Sequence, residues 1–313
     1  MNKIEHLIIS SSLDYSTDYV VLEMKKRNLR YLRINRDQFM NVRLSYSLDN
    51  ESMVVTVHNE LFELSCDELR SVYFRAPVFI RSNKSYSLEE QLERSQWSSF
   101  IRNLIIFDKA IWINNPVSTY RTENKMYQLE IAKRCGLKIP ETYIANDVMN
   151  SIMPNKQYVV KSLDTALFYK GDQEFFTYTT MITGDELNKA SIVEAPVIIQ
   201  EYLEDKVDIR VTCVGDRLYP ASVTNGGNGI VGDWRKTPKE QLNYKYWELP
   251  NELSEKLLLL MRKLEIVFGG IDLVFSHGEY YFIEVNPTGE WGWLVNTARF
   301  PIPEAIVDVL QGI

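Results

Sequence analysis

Two apolar runs near the C-terminal end of the chain are each interrupted by a carboxylate. The first reads Gly270-Ile271-Asp272-Leu273-Val274-Phe275. The second reads Tyr280-Tyr281-Phe282-Ile283-Glu284-Val285-Asn286-Pro287, and Ser276-His277-Gly278-Glu279 joins them. This is the pattern of a β-hairpin with a glycine in its turn. Glu284 and Asn286 are two positions apart, so they share one face of their strand. A carboxylate on a buried strand needs a counter-charge, and carboxylate and amide oxygens are the hard donors that suit Mg²⁺. One acidic residue alone would fit the exposed edge of a hairpin, but Asp272, Glu284 and Asn286 together point to metal binding. Parity constrains the loop. A two-residue turn would set Asp272 opposite Ile283, on the wrong face. A three-residue loop, His277-Gly278-Glu279, sets it opposite Glu284, and three-residue loops commonly place a residue in the left-handed region that glycine tolerates.

Three further groups could work beside that hairpin. Val197-Ile198-Ile199-Gln200-Glu201-Tyr202-Leu203 is an apolar strand whose exit can offer main-chain groups to an adenine edge. Arg210 follows in Asp208-Ile209-Arg210-Val211. A guanidinium in an alternating apolar strand is costly without an anion, and either a phosphate or Asp208 could supply one. Lys125 opens a helix and Lys161 closes the strand Tyr158–Val160; exposed lysines are common, and these gain weight only from their neighbours. Gly232-Asp233-Trp234-Arg235 comes after Asn225-Gly226-Gly227-Asn228-Gly229. The glycines fit a surface loop, whereas Arg235 can hold a carboxylate or phosphate in two-pronged fashion.

The elements that must position these residues follow from periodicity and punctuation. Strands at 5–10, 31–35, Ser71–Phe74 and Ile111–Ile113 alternate with helices at 17–29 and 88–107, and a hairpin fits 52–64. That alternation predicts an open α/β N-terminal lobe over 1–117. A helix over Asn124–Cys135, stopped by Gly136, and strands at Tyr158–Lys161, Glu174–Met181 and Val197–Glu201 predict a central α+β lobe over 118–197. Strands at Asp208–Val214 and Arg217–Val223, a helix at 251–267, the carboxylate hairpin and a last helix near 303–311 make the C-terminal lobe, 198–313.

The bulk properties exclude several classes. The chain has 313 residues, a formal net charge of −7, and 45% hydrophobic and 25% charged residues. That length favours more than one lobe. No basic run is present, so a nucleic-acid partner is not expected. No apolar stretch is long enough to span a bilayer, and the start resembles a first buried strand and not a secretory signal. The three cysteines and three histidines are scattered, which argues against zinc and for reduced thiols in the cytoplasm. Neither a Gly-x-Ser-x-Gly elbow nor a Walker lysine loop occurs.

With these residues in place, the sequence resembles the ATP-grasp ligases, and among them the graspetide synthetases, the microviridin-type maturases of ribosomal peptides. The resemblance runs over nearly the whole chain. It is carried by Tyr73-Phe74-Arg75-Ala76-Pro77, Trp112-Ile113-Asn114-Asn115-Pro116, Asn124-Lys125, Val160-Lys161-Ser162, Gln200-Glu201-Tyr202, Asp208-Ile209-Arg210, Asp233-Trp234-Arg235 and Phe282-Ile283-Glu284-Val285-Asn286-Pro287-Thr288-Gly289-Glu290-Trp291. It implies a three-lobe ATP-grasp fold with ATP between the central and C-terminal lobes. Lys125 and Lys161 would hold phosphates; Gln200, Glu201 and Leu203 would line the adenine; Asp208 would lie near the nucleotide. Arg210 would meet the γ-phosphate and the acyl phosphate, Arg235 a phosphate or the substrate carboxylate, and Asp272, Glu284 and Asn286 two Mg²⁺ ions.

The resemblance further implies a precursor peptide as partner, its leader docked near a hairpin around Phe168–Thr180, and a homodimer. The reaction would activate a peptide Asp or Glu as an acyl phosphate and join it to a Ser or Thr hydroxyl or a Lys amine. Two alternatives stay open: a ligase that joins a free amino acid or amine to a carboxylate, and a nucleotide-binding scaffold without catalysis. The sequence departs from many relatives at Ser162–Tyr169, where a glycine-rich phosphate-covering loop is usual and no glycine occurs before Gly171.

Overall fold

A computed structural model describes residues 2–75, 86–147, 152–163, 167–170, 173–176, 179–190 and 194–313, with 167–170 and 173–176 described by backbone alone. A parallel sheet in the order Tyr31–Asn35, His6–Ser10, Ser71–Phe74, Ile111–Ile113 builds the N-terminal lobe. The helix Tyr15–Lys26 crosses between the first two strands; Asp14 caps it by accepting from the Thr17 N–H. The second helix, Leu88–Asn103, starts on a capping box in which Ser87 and Glu90 exchange hydrogen bonds, and a 3₁₀ turn over Leu104–Ile106 completes the helical span read from sequence. A second sheet orders Asn2–Lys3, Glu60–Ser65, Ser52–Val57 and Val42–Ser47. Its strand Val42–Ser47 was not expected; with arginine and serines between its apolar positions, the segment carries little local signal.

The central sheet is antiparallel, in the order Thr180–Thr183, Gln157–Lys161, Val197–Glu201, Thr142–Ala145. The single strand expected over Glu174–Met181 is two strands: Gln173–Phe176, paired with Leu167–Lys170 in a separate hairpin, and Thr180–Thr183. The side chains of Phe168, Tyr169, Phe175, Phe176 and Tyr178, to which the leader-docking expectation refers, lie outside the described residues, as do 164–166 of the glycine-poor loop.

The C-terminal sheet runs Leu242–Tyr246, Arg217–Asn225, Lys206–Val214, Phe268–Ser276, Glu279–Asn286, all antiparallel. One face packs Ile209, Val211, Cys213, Ile271, Leu273, Phe282 and Val285 against the helix Asn251–Leu264. Leu129 and Ala132 of the helix Lys125–Arg134 join the same core. Each such fully buried aliphatic side chain contributes about 1.5–3 kcal/mol. Another core crosses between lobes, joining Ile8, Val20, Met24 and Tyr73 to Val214, Phe268, Trp291 and the helix Ile302–Gln311.

Asn114 ties the same two lobes with hydrogen bonds. Its Nδ2 donates to the Phe268 and Pro287 carbonyls at 2.8 and 2.9 Å, and its Oδ1 accepts from the Val267 and Phe268 N–H groups at 2.7 and 2.8 Å. No helix among the described residues is long and apolar enough to cross a membrane.

Candidate active site

The carboxylate hairpin pairs as parity demands, by a route other than the one expected. Ser276 pairs with Glu279, so the turn has two residues, His277 and Gly278, both at positive φ. Continued regularly, this register would set Asp272 opposite Ile283. A β-bulge intervenes: Leu273 pairs with Phe282 and Asp272 with Glu284, leaving Ile283 as the extra residue. The expected three-residue loop is therefore replaced by a tight turn and a bulge, because Ser276-His277-Gly278-Glu279 already closes as a two-residue turn. The bulge also turns Ile283 toward the same cavity as Glu284.

The pair is partly buried and crowded by cations. Asp272 and Glu284 keep 14% and 24% of their side-chain surface. Arg235 Nη2 donates to Asp272 at 2.9 Å and to Glu284 at 3.2 Å, and Lys125 Nζ lies 3.5 Å from the other Glu284 oxygen. Burial pushes the Glu284 carboxyl up, but Lys125, Arg235 and Lys161 together win and bring it down to about 2. Burial raises Asp272, against the pull of Arg210 and Arg235 and with Glu284 beside it. Asn286, opposite Gly270, holds its Oδ1 in place by accepting from the Thr288 N–H at 2.9 Å.

Arg210 sits directly across from Asp272 on the neighbouring strand. Its Nε is 3.2 Å from an Asp272 oxygen, out of line for a hydrogen bond, and among the described residues neither Nε nor Nη1, both buried, has a hydrogen-bond partner. Two glycines make room for it: a Cβ on Gly270 would lie 2.4 Å from Arg210 Nη1, and one on Gly289 would lie 3.4 Å away. Asp208, offered by the sequence as a possible partner, instead pairs with Lys206. Burial raises Asp208, and Lys206 opposes the shift.

Across the cleft, Lys161 Nζ donates to Gln200 Oε1 at 2.9 Å, and Gln200 Nε2 donates to Thr142 Oγ1 at 2.8 Å. Burial lowers the Lys161 amine, which Glu284 partly opposes. Glu201 pairs with Lys156 at 2.8 Å, and Lys156 also reaches Glu141 at 2.7 Å. These side chains are committed to stiffening the strand exit. An adenine there would meet main chain.

All the residues expected from the sequence line one cavity of about 360 Å³, except Arg210, which does not reach its wall. Val159, Val274 and Ile283 supply apolar surface to it. The glycine-rich segment is open at Gly226 and Gly227 but closely packed at Gly229. A Cβ on Gly229 would meet the Lys206 carbonyl at 1.8 Å, so only glycine lets the two backbones touch, and the Gly232 N–H donates to the Tyr202 hydroxyl. Asp233 then caps the turn Trp234–Lys236, and the Arg235 guanidinium lies 5.2 Å from the Trp234 ring centroid.

A family model described as the RimK-like ATP-grasp domain matches residues 122–309. The chain belongs to the RimK-like ATP-grasp family. It is an ATP-grasp ligase, and such ligases use ATP with Mg²⁺. Its whole length is similar to a RiPP-associated ATP-grasp ligase of Chryseobacterium gregarium, solved with ADP and a leader and core peptide: TM-score 0.87, 25% identity, 100% of this chain and 97% of the other. A macrocyclase from Microcystis aeruginosa bound with a precursor peptide shares the fold, with TM-score 0.82 and 22% identity over 98% of this chain and 99% of that one. A tetrahydromethanopterin:alpha-L-glutamate ligase of Methanococcus maripaludis is 22% identical over 308 residues, 96% of each chain.

The ATP-grasp ligase's own donors fit a divalent ion. The described residues contain no cluster of three His, Cys, Asp or Glu side chains. The set is two carboxylates and an amide, as suits Mg²⁺, which takes one or two carboxylates and completes its shell with phosphate oxygens and water. In their present arrangement the Arg235 guanidinium supplies the positive charge between the two carboxylates. Sequence reasoning missed one feature of the ligase, because its parts are far apart in the chain. Arg75, read only as part of a motif, is buried between Asp14 (2.9 Å) and Glu290 (3.0 Å).

Proposed function

We propose that this ligase activates Asp or Glu side chains of a ribosomal precursor peptide as acyl phosphates and joins them to Ser or Thr hydroxyls or Lys amines. One observation carries the chemistry: Arg210 is buried beside Asp272, and among the described residues its Nη1 has no hydrogen-bond partner, which leaves a charged donor for an anion at the carboxylate hairpin. The choice of a peptide substrate rests on the whole-chain likeness to the peptide-bound Chryseobacterium gregarium ligase.

In this reading Lys125 and Lys161 hold phosphates, and Gln200, Glu201, Leu203 and Asp208 border the nucleotide. Asp272, Glu284 and Asn286 hold Mg²⁺, which when bound neutralises charge on the transferring phosphoryl group. The substrate carboxylate takes up the γ-phosphoryl group while Arg210 meets the charge that develops, and Arg235 leaves the two acids to hold a phosphate or the substrate carboxylate. The hydroxyl or amine then displaces phosphate. No enzyme nucleophile is required, because the activated group belongs to the substrate. Three lobes, 1–117, 118–197 and 198–313, a leader docked on the central lobe, a homodimer and a cytoplasmic setting complete the reading.

The full-length similarity to a glutamate ligase supports a second reading, with a free amino acid as acceptor. One experiment separates them. A precursor-like peptide with an N-terminal leader and a core rich in Thr or Ser and Asp or Glu, sought in short reading frames beside the gene, is incubated with enzyme and Mg·ATP. ADP release with a mass loss of one water per crosslink supports the first reading. ADP release driven by free glutamate alone, with the peptide inert, replaces it with the second.

A further inference from the structure

The carboxylate of Glu290 has no role in the nucleotide cleft, yet the fold holds it with care. Its Oε1 accepts from Arg75 Nη2 at 3.0 Å and its Oε2 from the Ser16 hydroxyl at 2.7 Å. Ser16 is itself fixed, accepting from the Gly292 N–H at 3.1 Å, and the Tyr15 ring packs so tightly on Gly292 that a Cβ there would approach it to 2.5 Å. Neutralising Arg75 does not require Glu290, because Asp14 already pairs with that guanidinium at 2.9 Å and is nearly buried. Glu290 is different: 55% of its side chain stays exposed. A carboxylate has about four acceptor positions, and two hydrogen bonds leave the remainder facing outward. With two acids on one guanidinium, the cluster keeps one negative charge to spare.

Its location supplies the second half of the argument. Gly289, the residue before it, lies between two guanidiniums. On one side it packs against Arg210 Nη1, and on the other its carbonyl accepts from Arg75 Nη1 at 3.4 Å. Arg210 and the Arg75–Glu290 pair thus flank a single peptide unit, Arg210 on the side of the carboxylate hairpin and the pair on the side of the N-terminal lobe. Glu290 follows directly on the glycine that packs against Arg210, and its exposed face is open to a substrate that reaches Arg210 from the side of the N-terminal lobe.

We propose that Glu290 is the base for the acceptor, a catalytic residue of the second step; this rests on the peptide-crosslinking reading above. The acceptor hydroxyl oxygen, or the amine nitrogen, bonds to the acyl carbon. The carbon–oxygen bond to phosphate breaks, and phosphate leaves with the electron pair. The acceptor proton passes to the Glu290 carboxylate and from there to solvent. A hydroxyl is a weak nucleophile until its proton is taken, so the second step depends on such a base. Arg75 and Ser16 are positioning residues that fix the carboxylate. Activation of the donor carboxylate, by contrast, does not involve Glu290.

Hydroxylamine separates the two steps, because it attacks an acyl phosphate without help from a base and leaves a hydroxamate. The probe is the peptide that wild-type enzyme crosslinks in the experiment above, incubated with Mg·ATP, with and without hydroxylamine, and products are read by mass spectrometry. Relative to wild type, Glu290→Gln is expected to form crosslinks about 10²–10⁴-fold more slowly while hydroxamate forms within about threefold of the normal rate. Wild-type crosslinking by Glu290→Gln overturns the proposal. So does joint loss of crosslink and hydroxamate in a variant that melts like wild type, since Glu290 would then serve activation. If Glu290→Gln melts early, Glu290→Asp keeps the charge beside Arg75 but withdraws it by one methylene. It should lose about tenfold or more in crosslinking with hydroxamate retained, and undiminished crosslinking overturns the assignment. A wild-type enzyme that forms no hydroxamate overturns the carboxylate-activation reading itself, an outcome distinct from the others.

Discussion

Arg210 and Arg235 both approach Asp272, but they are held differently, and that difference sets what each substitution should do. Arg210 is buried among glycines, and two of its donor atoms make no hydrogen bond among the described residues. Replacing it with lysine keeps the charge and loses the planar fork, so peptide-dependent ADP release should fall by about 10²–10³ with the melting temperature little changed. Arg235 keeps 41% of its side chain exposed and spends its Nη2 on both hairpin acids. With Arg235→Ala the two carboxylates lose their covering cation. Binding of Mn²⁺ without nucleotide, read by electron paramagnetic resonance, should then tighten by about tenfold, the scale of one partly screened charge near a divalent ion. Unchanged or weaker Mn²⁺ binding would mean that Arg235 does not compete with the metal.

At the scale of elements, the central feature is three adjacent strands of the C-terminal sheet. Arg210 faces Asp272 and Thr212 faces Gly270 across one strand pair, while Glu284 and Asn286 face Asp272 and Gly270 across the next. Alternation puts all of these on one side, and the bulge at Ile283 preserves that side through the hairpin. The arrangement leaves no room for a side chain at position 270. Gly270→Ala should displace the Arg210 guanidinium, because the new methyl would sit 2.4 Å from Nη1. The expected result is a folded protein that binds ADP within a few-fold of wild type by calorimetry but has lost about 10²-fold in turnover, the usual cost of a misplaced catalytic group. Full activity in Gly270→Ala would show that Arg210 works from another position.

At the scale of the molecule, the N-terminal and C-terminal lobes are joined by buried polar groups as well as by a shared core. Asn114 spends all its amide bonds on the far lobe, and Arg75 bridges Asp14 and Glu290. Burial alone would raise the Asp14 carboxyl. The charge of Arg75, with hydrogen bonds from Arg75 and Thr17, outweighs burial and lowers it. A carboxyl lowered on folding adds stability above its unfolded pKa and loses it as pH falls through the folded value. Asp14→Asn should therefore cost about 2–4 kcal/mol in urea melts at pH 7. The gap to wild type should close as pH falls below about 4, the ordinary carboxylate range. A gap that persisted undiminished in acid would assign the loss to packing and not to charge.

The sequence by itself determined most of the elements and which charged and amide side chains gather at the cleft. Glu284 and Asn286 sit two apart on a strand, Arg210 is a lone cation in an apolar run, and Lys161 ends its strand; each property is local, and strand alternation carries it into space unchanged. What only the tertiary structure decided involves residues distant in the chain. Turn chemistry allowed either a two-residue or a three-residue loop, and only the assembled sheet shows the tight turn compensated by a bulge at Ile283. The sequence offered a phosphate or Asp208 as the anion for Arg210, and cross-strand register set Asp272 beside it while Lys206 claimed Asp208. Arg75, Ser16 and Glu290 are separated by up to 274 positions, and no periodicity links them. Their meeting depends on how the parallel N-terminal sheet docks on the loop after the carboxylate hairpin, because lobe packing is set by complementary buried surfaces and not by any pattern along the chain.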